Sequence, residues 1–395
     1  MKILILNSGS SSIKFQLRDA VSETVCCKGL IENIGEPGAA IHVTANGRKL
    51  DRKMEMPNHT VALNQTINML TSPELQAIES LSDIKAVGHR VVHGGARFAG
   101  PRVVTPQVLK ELRALVPLAP LHQPHNLAAI EAVFDRLPGV PQVACFDTSF
   151  HRGQPAVAEL VPLPRELCRS GLQRYGFHGL SYEYVASVLP EMAPEIAHGR
   201  VIVAHLGSGA SVCALRDGRS VDCSFGFTAL DGLCMGTRPG VLDPGVVLYL
   251  FQGLGLSAAE VEAILYKKSG LLGISGISND MRDLVGSDDP GARLAVDYFV
   301  YQAAKQIGAL AGALGGIDGL VFTAGIGENS AEIRRRLGEA CAWLGVELDS
   351  DANARKGPRI SRAGSKTQAW IIPTNEELMI ARHTGRLLGL VEARV

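Results

Sequence analysis

Apolar residues fall along this chain in short runs that stop at turns of small polar residues. Residues 2–19 read KILILNSGSSSIKFQLRD: an apolar run, a turn of glycine, serine and amide groups, then a second run ending in LRD. The pattern predicts strand, tight turn, strand. Residues 201–224, VIVAHLGSGASVCALRDGRSVDCS, repeat the plan, and Asp217-Gly218 adds a hairpin signal before a third strand. LRD follows the second strand in both stretches, with the register differing by one residue. Two such units predict a duplicated α/β domain. VACFDTSFH (143–151) and GLVFTAGIGENS (319–330) read as buried strands running into loops, where ligands of α/β folds gather.

Helices fill the gaps. Residues 297–314 are apolar at helical spacing, and Asn329-Ser330 should cap a helix through Leu344 with Glu332 in its first turn. A T-x-x-E box from Thr374 to Glu377 opens the final helix, giving Glu377 a capping role. The polar stretch 32–60, with its prolines and glycines, shows no clear element. A domain boundary is expected near residue 148, just after Asp147.

The chain's 395 residues exceed one compact core, so two domains are the default. Its 39 basic and 39 acidic residues leave no net charge to draw it towards nucleic acid or an anionic membrane. Eight scattered cysteines without a C-x-x-C pair fit reduced thiols, and with them a cytoplasmic protein. The N-terminus does not read as a secretion signal, and no apolar run approaches the ~20 residues of a membrane span. Glycine is abundant, at 43 residues, which suits tight turns and backbone brought close to a ligand.

Candidate chemistry sharpens that picture. The first turn presents backbone N–H groups, hydroxyls and Lys14 to one point, which suits a phosphate or, more plainly, a serine-rich hairpin. It is not the P-loop, because the second glycine is missing and more strand follows. Three loops, NSGSSSIK, HLGSGAS and AGIGENS, together suit a clamped nucleotide. GLGLSA (253–258) lacks the buried strand that a dinucleotide site requires. Arg90 in GHRVVHGG and Arg238 in GTRPGVLDPG each stand among glycines and apolar residues, where a guanidinium can steady a transferring phosphoryl group. His178, in RYGFHGLS, precedes a helix that Ser181 should cap; a structural histidine is the plainer reading. Asp147 closes a buried strand and needs a cationic partner there. With Glu377 engaged in its box, Glu376 is the carboxylate free to reach a Mg²⁺.

Nine motifs together, NSGSSSIKF, GHRVVHGG, LAPLHQPHN, FDTSFH, RYGFHGLS, HLGSGASV, GFTALDGLCMGTRPG, AGIGENS and IPTNEELMIARHT, resemble the acetate kinase family in order and nearly over the full chain. That family sits with sugar kinases, heat-shock ATPases and actin. The resemblance implies two duplicated ribonuclease H-like α/β domains with an ATP cleft between them. It implies a first domain of residues 1–148 plus 385–395, a second of 149–384, and a homodimer. It also implies reversible, Mg²⁺-dependent (or Mn²⁺-dependent) phosphoryl transfer from ATP to acetate or another short-chain carboxylate, giving the acyl phosphate and ADP.

The same resemblance implies roles at matching positions. Asn7 and Glu376 would place the metal and Lys14 would meet ATP phosphates. Arg90 and Arg238 would hold the acyl carboxylate and the moving phosphoryl group, which His178 would stabilise. Asp147 is the family's proton carrier in many accounts. A carboxylate is already ionised at neutral pH, so Asp147 more plausibly orients an arginine or a metal-bound water. His205, Leu206, Gly207, Ser208 and Gly209 would line the phosphates. Asp280, Met281 and Arg282, with Gly325, Ile326, Gly327, Glu328 and Asn329, would contact the nucleoside end. Val92, Leu121, Phe177 and Ala229 would wall the acyl pocket. Two positions depart from the family: Ser208 replaces a frequent asparagine, and Ala229 replaces a pocket proline. Propionate as substrate, a non-catalytic ATP-switched protein like actin, and a sugar kinase are the alternatives. Paired arginines with His178 speak against the last two.

Overall fold

A computed structural model describes residues 1–169 and 171–391. The chain divides into two compact units, Met1–Ser149 with the segment from Asn375, and Phe150–Thr374.

The first unit is built on an eight-stranded sheet: β1 (Lys2–Ser8), β2 (Ile13–Asp19), β3 (Val25–Glu32), β4 (Ala40–Ala45), β5 (Arg48–Lys53), β6 (Ile84–Val91), β7 (Arg102–Val103) and β8 (Gln142–Phe146). Their order is β5-β4-β3-β2-β1-β6-β8-β7. β1 to β5 form an antiparallel meander, while β6 runs parallel to β1 and β8 parallel to β6. Ile3, Leu4, Ile5 and Leu6 are all buried, so β1 is covered on both faces. On one face Leu4 and Leu6 share a core with Leu63 and Ile67 of the helix His59–Leu70 and Val133 of the helix Gln123–Arg136.

The helix Glu376–Leu387 packs on β1 and β6. A Cβ at Gly88 would lie 2.5 Å from Thr384 Oγ1 and 2.6 Å from Ile380 Cγ2, so glycine there is what admits the helix. The chain therefore returns at Asn375, not at residue 385 as expected, because the whole apolar face of this helix is needed to cover the sheet. The unassigned stretch 32–60 holds β4 and β5, joined by Asn46-Gly47 with φ of 51° and 74°, a primed hairpin turn.

The second unit has five strands, β9 (Arg200–Leu206), β10 (Ala210–Arg216), β11 (Arg219–Cys223), β12 (Gly319–Thr323) and β13 (Gln368–Ile371), in the order β11-β10-β9-β12-β13. Three antiparallel strands followed by two parallel ones match β3-β2-β1-β6-β8 of the first sheet, which is the expected duplication. The central pairs differ by one residue of turn: Ser8 pairs with Ile13, but Leu206 with Ala210. The expected helix at 297–314 is longer, Pro290–Leu314, capped by Asp289 and stopped by Gly315 in the left-handed region. Ser330 caps a helix as expected, but its α-helical part ends at Ala340, with a 3₁₀ turn over Ala342–Leu344.

Candidate active site

In the first unit, Asn7, Lys14, Arg90, Asp147 and Glu376 converge. Asn7 and Lys14 face each other across β1 and β2 beside the serine turn. Arg90 lies in β6, next but one to β2 in the sheet, and Asp147 directly follows β8. Arg90 Nε donates to Asp147 Oδ1 at 2.9 Å and Nη2 to Oδ2 at 2.5 Å, while Nη1 donates to Asn7 Oδ1 at 3.1 Å. Asp147 is only 2% exposed, so this fork is what makes its charge tolerable. Burial opposes the charge on Arg90, yet Asp147 and Glu376 hold its pKa above the ordinary value. Glu376 is in the opposite position. Burial, with Asp147 and Glu377, raises it to about 7 against the pull of Arg90 and Lys14.

The capping box does not form. Asn375 is the N-cap and its side chain accepts from Leu378 N at 3.1 Å. Glu376 and Glu377 thus occupy the first two helical positions, and Glu377 has no capping role. Thr374 is drawn off because its N–H donates to Glu328 Oε1 at 3.1 Å.

Residues without an expected role hold this cluster's frame. Asn126, from LAPLHQPHN, accepts from Val92 N at 2.9 Å and donates to Ser8 O at 2.7 Å, tying the end of β6 to the end of β1. His59 Nε2 reaches Gly9 O at 2.7 Å; a carbonyl only accepts, so His59 donates and pins the serine turn. Val92 is buried just beyond β6, and Leu121 is partly exposed in the turn before the helix Gln123–Arg136.

The second unit assembles a different group. His178 sits at φ 58°, ψ 24° and leads directly into the helix Gly179–Met192, so Ser181 lies inside the helix and does not cap it. Ser181 Oγ instead meets His205 Nδ1 at 2.8 Å. The rings of His178 and His205 stack at 4.1 Å, and Phe225 stands edge-on to His178 at 5.2 Å. His178 Nδ1 meets Ser211 Oγ at 2.8 Å. A Cβ on Gly209 would lie 2.7 Å from Arg238 Nη2 and 3.4 Å from His178 Nε2, so arginine and histidine share the space over that glycine. Arg238 Nη1 donates to Ala229 O at 2.7 Å. His151, the last residue of FDTSFH, has no expected role. It is buried, bonds Phe177 O at 2.9 Å through Nε2, and so braces the peptide before His178. Phe177 itself is buried against Phe225.

Three segments expected at the nucleotide meet around the β9–β10 turn. A Cβ on Gly236 would lie 3.1 Å from Asn279 O and 3.3 Å from Ser208 Oγ, which places the Asp280 segment beside the turn. A Cβ on Gly207 would lie 3.7 Å from Ala324 Cβ. AGIGENS is a short helix, Ala324–Asn329, and not the expected loop. Ala324 carries φ 65°, and Glu328 Oε1 accepts from its N–H at 2.8 Å. Glu328 thus spends one carboxylate oxygen on bracing. Asp280 caps the helix Met281–Leu284 and pairs with exposed Arg282, while Met281 is buried.

The acetokinase family model matches residues 2–382. The chain is 54% identical to the acetate kinase of Rhodopseudomonas palustris, over 98% of each chain. It is 45% identical to that of Caldicellulosiruptor saccharolyticus, over 98% of this chain and 100% of the relative. Among solved structures it is similar to Porphyromonas gingivalis acetate kinase, with 40% identity, TM-score 0.89, and 98% and 99% of the two chains covered. It is also similar to a propionate kinase from Francisella tularensis, with 37% identity, TM-score 0.92 and the same coverage.

Proposed function

The chain belongs to the acetokinase family, and from that premise we propose how its residues share one reaction. The reaction is reversible phosphoryl transfer between ATP and acetate. A carboxylate oxygen of acetate attacks the γ-phosphorus, the bond to the β-phosphate oxygen breaks, and acetyl phosphate and ADP form. Arg90 and Arg238 grip the acyl carboxylate and the three spreading phosphoryl oxygens; His178 adds a hydrogen bond. The β9–β10 turn and Lys14 hold the phosphates. Alignment and charge neutralisation lower the barrier, with no covalent enzyme intermediate.

The observation that carries this reading is the Arg90–Asp147 fork. Both Asp147 oxygens are engaged by Arg90, so Asp147 orients the guanidinium and is not the proton carrier. An acceptor that arrives ionised needs no base, whereas a sugar hydroxyl would need one.

Mg²⁺ fits the first cluster. Among the described residues no cage of three or more acidic, histidine or cysteine ligands occurs. Mg²⁺ does not require one, being content with one or two carboxylates and several waters. Glu376, pushed up by burial and by neighbouring carboxylates, is a site of excess negative charge that a divalent ion relieves. Glu376 would hold the ion, with Asn7 beside it. When bound, the metal neutralises phosphate charge as it develops on the leaving oxygen.

A homodimer is supported by the helix Pro244–Gln252, which exposes Val246, Leu248, Tyr249 and Phe251 and buries none of its residues. Sedimentation of the full chain checks it. Propionate is the second reading, because Ala229 stands where the family places a proline.

The test is to mix the chain with MgATP and acetate, propionate or butyrate, and trap acyl phosphate with hydroxylamine. Acetate should give most hydroxamate, propionate less and butyrate little. ATP hydrolysis without hydroxamate from any acid would overturn the reading.

A further inference from the structure

The packing behind His178 fixes where that ring carries its proton, an inference that rests on the role proposed for His178 above. Tyr182 and Ser211 are fully buried. The Tyr182 hydroxyl lies 2.5 Å from Ser211 Oγ, and Ser211 Oγ lies 2.8 Å from His178 Nδ1. Each hydroxyl has one proton to place. Burial holds the Tyr182 phenol protonated, far above its ordinary pKa, and Ser211 Oγ is its hydrogen-bond partner among the described residues. A buried O–H without an acceptor is costly, so Tyr182 donates to Ser211. Ser211 must then donate onward, and its other contact is His178 Nδ1. Nδ1 is therefore the bare nitrogen, and the ring proton sits on Nε2, the atom beside Arg238 over Gly209.

We propose that Tyr182 and Ser211 are positioning residues that lock His178 as its neutral Nε2–H tautomer, giving the moving phosphoryl group a fixed donor rather than a second positive charge. The groups around the ring agree. His205 stacks on it, Phe225 meets it edge-on, and Arg238 already brings a permanent charge that disfavours another alongside. Cys213 and Cys223 lie near Tyr182, and burial keeps both thiols neutral. Protonating Nδ1 would force Ser211 to turn its proton to Tyr182, orphaning the buried phenol.

The test uses the full chain labelled with ¹⁵N-histidine. Long-range ¹H–¹⁵N spectra should show His178 with Nε2 protonated and Nδ1 bare, unchanged over about pH 6–9, where an ordinary imidazole loses its charge. In Tyr182→Phe the relay loses its direction. Its kcat should fall about 10- to 100-fold at pH 8, by analogy with the loss when the partner that fixes the tautomer of a metal-bound histidine is removed. The ratio of variant to unmodified kcat should then rise as pH falls through about 6.5 and the ring regains a proton. A purely structural defect would give a ratio flat with pH. An imidazolium or an Nδ1–H ring at pH 7 in the unmodified chain, or a flat ratio, overturns the proposal. The spectra decide it alone if the variant does not fold. They are taken without substrate, so a failure to form acyl hydroxamate would sink the reaction assignment and leave the tautomer standing.

Discussion

At the ends of β1, β6 and β8 the first unit gathers charges in contact with one another, whereas at the ends of β9 and β10 the second gathers stacked rings and hydroxyls around one arginine. The strand order beneath is shared. What differs is how each arginine is held. Arg90 is clamped by a buried carboxylate, and Arg238 by a backbone carbonyl. A carboxylate clamps a guanidinium by two charge-assisted bonds, and a carbonyl orients it through one weaker bond. Duplication supplied two similar frames, and side-chain chemistry made one a cluster of paired charges and the other a group of stacked rings and hydroxyls beside an arginine.

The contrast is broken most sharply at the arginines. Either Arg90→Ala or Arg238→Ala should lower kcat by about 10³-fold or more, with poor rescue by lysine. Their stabilities should part. Arg90→Ala strands Asp147 and should cost roughly 3 kcal/mol, while Arg238→Ala should cost about 1. Steady-state rates with urea melts on both variants check this, and equal losses of stability would erase the distinction.

Glu376 sharpens it through pH. Its carboxyl is raised to about 7 in the folded chain, above the ordinary 4.5, so the native state binds the extra proton between those values. Stability without metal should fall as pH climbs from about 4.5 to 7, by roughly 3 kcal/mol at most. Glu376→Gln should abolish that slope and sharply raise the Mg²⁺ requirement. Mg²⁺ should raise the stability of the unmodified chain at pH 8 and leave that of the variant unchanged. Thermal melts at several pH values with and without the ion decide it.

Ala229 tests the softer clamp. Ala229→Pro keeps the carbonyl that orients Arg238 and removes room for about one methylene. It should lower kcat/KM for propionate several-fold more than for acetate, on the order of 1 kcal/mol. An unchanged substrate ratio in a chain that still folds would remove Ala229 from the pocket wall.

The smallest effect separates two caps. Asn375→Ala and Ser330→Ala should each cost about 1 kcal/mol. Only the first should also shift the Mg²⁺ titration, since Asn375 opens the helix that carries Glu376. Melts and metal titrations on both variants show whether the two effects separate.

How far the sequence could be read follows from which forces act locally. The two strand–turn–strand units were legible because β1 and β9 are buried on both faces and their turns hold small residues. β5 is hard to read because Arg48–Lys53 lies at a sheet edge and is polar but for Leu50, so no alternation marks it, whereas the alternation of Ile41, Val43 and Ala45 in β4 is short and sits among prolines and glycines. Asn46-Gly47 was the available signal. The T-x-x-E pattern misled because Glu328, distant in sequence, takes the Thr374 N–H and the helix opens one residue later. Ser181 misled similarly, since a stacked His205 claims its hydroxyl. Expected residues that converge, such as Arg90 and Asp147, came from motifs. Those holding them in place, Asn126, His59, His151 and Ser211, act through single long-range contacts that no local pattern announces.

The most direct measurement runs the reaction backwards: supply acetyl phosphate and MgADP to the full chain and follow phosphorus by ³¹P NMR. ATP should appear as acetyl phosphate disappears, mole for mole, and the exchange should collapse in Arg238→Ala. Loss of acetyl phosphate to inorganic phosphate with no ATP formed would contradict the account.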